Sequence, residues 1–164
     1  MNTFSRGGAQ AFYSMNFTWT WHSWTQISPD TLYALLTLRS AVFVVEQNCV
    51  FPDMDGLDPQ CEHLCATADD GAVVACLRLI PPGVKHELPV IGRLVVAAAA
   101  RRHGLARAGM LDALHVCAQR YPGRAVMLSG QKYLEEFYAS LGFVTSSAPY
   151  LEDGIWHVDM VRNP

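Results

Sequence analysis

The segment from Val95 to Arg107, Val-Val-Ala-Ala-Ala-Ala-Arg-Arg-His-Gly-Leu-Ala-Arg, places three of the chain's ten arginines within seven residues. An apolar run gives way there to a helical pattern. The first turn of a helix leaves backbone N–H groups without partners and carries the positive end of the helix dipole, so an anion bound there is stabilised twice. Gly104 and Ala106 lack bulk and leave that backbone accessible. Arg101, Arg102 and Arg107 are unfavourable beside a helix N-terminus unless a negative group compensates them, and a bound pyrophosphate would. Two familiar phosphate loops do not fit. The Gly-x-Gly-x-x-Gly spacing of dinucleotide sites is absent, as is the acidic ribose ligand expected further on. No Gly-Lys-Ser/Thr exists for a nucleoside triphosphate loop.

Two further sets of residues could do chemistry. Leu134, Phe137, Tyr138 and Leu141 are spaced i, i+3, i+4, i+7, which by itself describes a packed helical stripe with a phenolic handle. Cys61, His63 and Cys65 alternate and would share one side of a strand, with Cys49 upstream as a fourth zinc ligand. Their spacing departs from the usual metal pattern, and alternating buried cysteines are what an ordinary sheet face produces, so no metal is expected.

The elements that must carry these groups follow from periodicity. Residues 15–22 alternate with period two and read as a half-buried strand. Ser28-Pro29-Asp30 opens a helix, with Ser28 as cap and Leu32, Leu35 and Leu36 as its buried stripe. Residues 46–59 form an acidic, turn-rich loop. Strands over 63–68 and 72–80 are joined by Asp69-Asp70-Gly71, and 90–96 is nearly continuous in apolar residues, as a central strand would be. A helix is expected over 104–120, with Leu111, Leu114, Cys117 and Ala118 inward. A short strand at 125–128, a helix over 131–141 capped by Gly142, and a last strand at 155–161 complete the chain. Interleaved strands and helices give an α/β class with a mixed sheet.

Length and composition agree. At 164 residues, 51% apolar and 16% charged, the chain is one domain with a sizeable core. A net charge of −3 excludes a surface built for nucleic acid or anionic membrane. Five cysteines, an odd count, fit a reducing compartment and thus the cytoplasm. Residues 1–14 contain Arg6 but no apolar stretch, and read as a flexible leader before a domain at 15–164 rather than a secretory signal.

Arg101-x-x-Gly104-x-Ala106 after a valine-rich strand resembles the pyrophosphate-binding signature of the GNAT superfamily of acyl-CoA-dependent N-acetyltransferases. The later block, strand 125–128, Gln131 and Phe137-Tyr138-x-x-x-Gly142-Phe143, is similar to the second signature of that superfamily. Val42–Cys49, Ile91-Gly92-Arg93 and Tyr150–His157 resemble its ElaA-type branch. Ala98 and Ala106 stand where the family often has proline and glycine. The resemblance, running from about residue 28 to 161, implies a single-domain GNAT fold: a central mixed, mostly antiparallel sheet flanked by helices.

It also implies transfer of an acetyl group from acetyl-CoA to a primary amine by direct attack, without metal or covalent enzyme intermediate. The acceptor would be a small molecule or peptide. A non-catalytic acyl-CoA-binding sensor is the alternative, and a homodimer is compatible with either. On this resemblance the cofactor would be held by Leu94, Val95 and Val96, by the turn Arg101, Arg102, His103, Gly104, Leu105, Ala106 and Arg107, and by Gln131 and Tyr138. Backbone N–H groups of 101–106 would bind phosphate and an N–H near Val95 would face the oxyanion. Tyr138 would protonate the leaving thiolate. The strand over 90–96 has no glutamate to serve as base, so Glu87 just before it is the first candidate, with Glu46, His63 and His157 as alternatives or as acceptor-binding groups. Glu46 and the Asp53, Asp55, Asp58 cluster would face a cationic amine, or else form a solvated acidic loop.

Overall fold

The structure, a computed structural model, describes residues 16–164; the expected leader and Met15 lie outside the described residues. In chain order the regular elements are β1 (Phe17–Ser23), α1 (Pro29–Arg39), β2 (Glu62–Ala68), β3 (Val73–Ile80), β4 (Val90–Val96), α2 (Leu105–Arg120), β5 (Val126–Gln131), α3 (Glu135–Ala139), β6 (Val144–Thr145), β7 (Tyr150–Glu152) and β8 (Ile155–Arg162). They build one eight-stranded mixed sheet in the order β1-β2-β3-β4-β5-β8-β6, with β7 also on β8. Every pairing is antiparallel except β4 with β5. This is the single-domain mixed sheet flanked by helices that the sequence led us to expect.

Local signals explain the elements. Ser28 caps α1 by accepting from the Thr31 N–H at 3.1 Å, with Pro29 at its first position. After α1 the coil widens into a π-helix over Ser40–Glu46, where Gln47 N–H reaches back five residues to the Val42 carbonyl at 3.1 Å. That widening is why Val42–Val45 shows no helical period. Gly142, at φ 88°, ends the turn after α3 and lets buried Phe143 donate its N–H to the Tyr138 carbonyl.

Alternation along β2 sends Leu64 and Cys65 to opposite faces. One face packs Leu64, Leu77 and Leu79 against Met110, Ala113, Leu114 and Cys117 of α2. The other packs Cys65, Cys76 and Val95 against Leu35 of α1 and Val42. The expected inward face of α2 needs correction at two positions. Leu111 and Ala118 are exposed, and Met110 and Ala113 take their place, one step round the helix. The expected 131–141 helix is also shorter, because β5 runs on through Gln131 and a single tight turn at 132–134 precedes α3.

The acidic loop is anchored rather than free: Asp53 and Asp58 are buried, while Asp55 stays exposed and lines a surface cleft. Arg39 Nε lies 2.7 Å from Asp53 and its Nη1 2.8 Å from Asp58. Arg78 holds Asp58 at 2.9 Å and Asp55 at 2.6 Å, and Arg93 approaches Asp53 at 2.8 Å and Asp55 at 3.4 Å. Arg39, Arg78, Asp53 and Asp58 are buried, so the loop is riveted to α1, β3 and β4 by three guanidinium groups. Burial pushes the Asp58 carboxyl up, but hydrogen bonds and charge from Arg39 and Arg78 outweigh this and hold it below the usual range. Asp55 is lowered in the same way, against its own burial, by Arg78, the Leu57 N–H and Arg93.

Removing Asp58 would leave two buried guanidiniums without their shared carboxylate. Asp58→Ala is therefore expected to lower stability by about 3–5 kcal/mol, read from urea denaturation at neutral pH. Because the folded carboxyls sit below the unfolded value near 4, their contribution is complete above roughly pH 4 and is lost as pH falls through the folded values. The acid-induced fall in urea midpoint should be shallower in Asp58→Ala than in the wild type.

Candidate active site

The strands β4 and β5 pair at one position, Val90 with Met127, and then diverge. The cause lies in β4. Against β3, Cys76 pairs with Val95 but Arg78 pairs with Gly92, so β4 carries one residue more than its partner over that stretch. The bulge centres on Arg93, whose φ of 52° is in the left-handed region. Such a residue costs about 1–2 kcal/mol in backbone conformation, and the Arg93 contacts to Asp53 and Asp55, with its guanidinium 5.7 Å over the Phe51 ring, offset it.

Beyond the bulge, Leu94, Val95 and Val96 of β4 and Ser129, Gly130 and Gln131 of β5 face each other across a cleft of about 610 Å³. The edge of β4 there has no strand partner on the β5 side. At the mouth, the chain turns through Arg102 (φ 66°) and Gly104 (φ 76°) into α2. The N–H groups of residues 102–107 donate to no backbone or side-chain acceptor among the described residues, whereas the Arg101 N–H is already given to the Ala98 carbonyl. The open donors are therefore 102–107 rather than the expected 101–106. Arg101, Arg102, Gly104, Leu105, Ala106 and Arg107 all line the cleft. His103 does not: its exposed ring turns to Phe17, 6.1 Å away. Arg101 donates to Glu46 at 2.8 Å and to the Val96 carbonyl at 3.1 Å, so Glu46 is an ion-pair partner of the mouth rather than a free carboxylate. Arg107 rests on Ser140.

Tyr138 closes the cleft's inner end. It is 8% exposed, packed edge-on to Phe137 and Phe143, and its hydroxyl has no hydrogen-bond partner among the described residues. Burial pushes its phenol up to about 12, so it stays protonated throughout the neutral range. Its ring lies so near Gly130 that a Cβ added there would stand 2.7 Å from Tyr138 Cε2. Gly130 is not among the expected site residues, though a glycine inside a strand is itself a signal of close approach.

A second cleft, of about 490 Å³, adjoins the first; Phe43, Gln47, Arg93 and Gln131 line both. Gln131 gives its amide N–H to Gln47 Oε1 at 2.9 Å, a partner that sequence alone did not single out. Phe51, Leu57, Ile155, Glu152, Asp153 and His157 complete much of the wall. Thus His157 is at the site. Two other candidates are not. Glu87 is exposed in the turn before β4, at the strand's opposite end, and lines neither cleft. His63 is buried 3.3 Å from the Asp58 carbonyl, and burial first of all lowers its affinity for a proton. Cys49, Cys61, Cys65, Cys76 and Cys117 are free and buried, and no metal-capable group of side chains occurs among the described residues. Burial pushes the thiols of Cys61 and Cys117 up to about 11 and Cys65 to about 12, which removes them as nucleophiles at neutral pH.

Comparison with known proteins gives a consistent picture. A family profile described as an acetyltransferase (GNAT) domain matches residues 53–163. Protein ElaA of Escherichia coli is 39% identical over 140 residues, covering 84% of this chain and 91% of ElaA. The crystal structure of ElaA superposes with a TM-score of 0.84 over 90% of this chain and 100% of that one. An acyl-CoA N-acyltransferase from Pseudomonas aeruginosa does so with a TM-score of 0.84 at 42% identity, over 90% and 99% of the two chains.

The Gly130 contact yields a direct expectation. Gly130→Ala must displace the Tyr138 ring and should cost about 1–3 kcal/mol in urea denaturation. In a Tyr138→Ala background the same substitution should cost much less, because the obstructing ring is gone.

Proposed function

The chain belongs to the GNAT acetyltransferase family, in its ElaA-type branch, and is an acyltransferase; on that premise we propose that it moves an acetyl group from acetyl-CoA to a primary amine of a small molecule or peptide. The observation that carries this reading is a coincidence within one cleft. Open N–H groups at the start of α2, an unpaired edge of β4 and a protonated Tyr138 all meet there.

The residues fit the pyrophosphate and arm of coenzyme A. The N–H groups of 102–107 and the dipole of α2 bind the anionic end, with Arg102 and Arg107 adding charge and Arg101 exchanging Glu46 for phosphate. The free edge of Leu94–Val96 pairs with the amides of the arm, and Gln131 offers polar groups opposite. When bound, the thioester supplies an activated acyl group. An N–H near Val95 faces the charge that develops on the carbonyl oxygen. As the amine nitrogen bonds to the acyl carbon and the carbon–sulfur bond breaks, Tyr138 gives its hydroxyl proton to the departing sulfur. The acceptor enters from the second cleft, which shares Gln131 with the first. The five free thiols suit a reducing compartment, and we place the enzyme in the cytoplasm.

The reading is tested by coenzyme A release from acetyl-CoA with a panel of alkylamines, polyamines and peptides. Release dependent on one amine class supports it; tight coenzyme A binding with no release across the panel would favour a sensor. Two variants separate binding from chemistry. Tyr138→Phe should lower kcat about a hundredfold while the Kd for coenzyme A stays within about twofold. Arg101→Ala should weaken coenzyme A binding about tenfold, or ~1.4 kcal/mol, in calorimetry.

A further inference from the structure

Amine acylation needs a group to take a proton from the acceptor before it attacks, because an alkylamine is mostly protonated at neutral pH and then has no free lone pair. β4 offers no acid for this, Glu87 is at the wrong end of the strand, His63 is sealed among arginines and Glu46 is bound to Arg101. One titratable ring remains in the acceptor cleft.

We propose that His157 is the general base of this acyltransferase, an assignment that rests on the transfer reading above. His157 lies on β8 directly opposite Gln131 of β5 on one side and Tyr150 of β7 on the other. Directly paired residues project to the same face of a sheet, so the ring stands beside the glutamine that lines both clefts. Tyr150 stacks on it, with ring centroids 6.1 Å apart and planes 25° from parallel. That tyrosine is itself anchored by its hydroxyl to Asp159 at 2.8 Å and to Ser129. The imidazole therefore has little freedom to turn.

Its tautomer is fixed by the same local geometry. His157 Nδ1 is 2.9 Å from the Ile155 carbonyl oxygen, which can only accept, so Nδ1 carries the proton. Nε2 is left with its lone pair and no partner among the described residues. Glu152 Oε2 lies 4.0 Å from Nδ1. The other charges around the cleft are Asp55 and Arg93, which pair with each other, together with Asp153 and Lys85; Asp159 stands behind Tyr150. In the step, Nε2 first takes a proton from the bound ammonium, which frees the nitrogen lone pair. The nitrogen then bonds to the acyl carbon, and the electron pair of the carbon–sulfur bond leaves with sulfur, which receives the Tyr138 proton. The second nitrogen proton restores the Tyr138 hydroxyl, so nitrogen loses two protons, sulfur gains one and His157 keeps one.

The test uses His157→Asn, whose amide N–H can keep the Ile155 bond while the lone pair is lost. With acetyl-CoA and ethylamine, which arrives protonated, kcat/KM should fall about a hundredfold or more. With 2,2,2-trifluoroethylamine, whose amine is largely neutral near pH 7, it should fall less than about tenfold. Equal losses with both amines would mark a structural role and overturn the proposal. Independently, carbon and nitrogen NMR of the wild-type ring should report the Nδ1–H tautomer in the neutral form, and an Nε2–H tautomer would overturn it. That second reading needs no acceptor. Failure of the wild type to use either amine would therefore count against the transfer reading, with His157 still judged by its tautomer.

Discussion

The parting of β4 from β5 is the constraint on which the rest of this molecule depends. A parallel pair that stayed hydrogen-bonded along its length would have no cleft, no free strand edge and no room for a ligand between the strands. One additional residue in β4 prevents this, and Arg93 is the residue that absorbs it with a φ of 52°. Its side chain is held by Asp53 and Asp55, so the acidic loop helps to set the shape of the strand. Arg93 also walls both clefts. One backbone irregularity thus separates the cleft at the start of α2 from the second cleft while leaving them in contact at Gln131.

Charge is divided accordingly. Arg39, Arg78 and Arg93 are spent on Asp53, Asp55 and Asp58, where desolvation makes mutual pairing obligatory and forked guanidiniums can serve two carboxylates at once. Arg101, Arg102 and Arg107 stand at the mouth of the cleft, where Glu46 and Ser140 are exposed partners that a phosphate can replace. The net charge of −3 therefore hides one internally neutral block and one arginine-rich mouth. Asp53 and Asp58 are buried in that block, whereas Asp55, though paired with Arg78 and Arg93, keeps an exposed edge on the second cleft.

The sequence was most legible where one local cause dominates. Ser28-Pro29 fixed the start of α1, Gly142 fixed the end of the turn after α3, and the arginine- and glycine-bearing turn marked the mouth before any fold was in view. It was least legible where the cause is a distant partner. Nothing near Arg39 in sequence tells that Asp53 and Asp58 will reach it, so a buried network read as a solvated loop. Alternation placed His63 and His157 on strands but could not say which face opens into a cleft and which is sealed. Glu87 was judged by its nearness in sequence to β4, yet a strand of seven residues carries its two ends far apart. Leu111 was assigned inward by helical spacing alone, and the sheet's position one step round α2 left it exposed.

The proposed coenzyme A site combines the N–H groups of residues 102–107 with the free edge of Leu94–Val96. Amide-resolved NMR of the uniformly labelled protein, titrated with coenzyme A, tests it most directly. The largest amide shifts should fall on residues 102–107 and 94–96, saturating together. Shifts confined to other surfaces, or none at saturating coenzyme A, would contradict it.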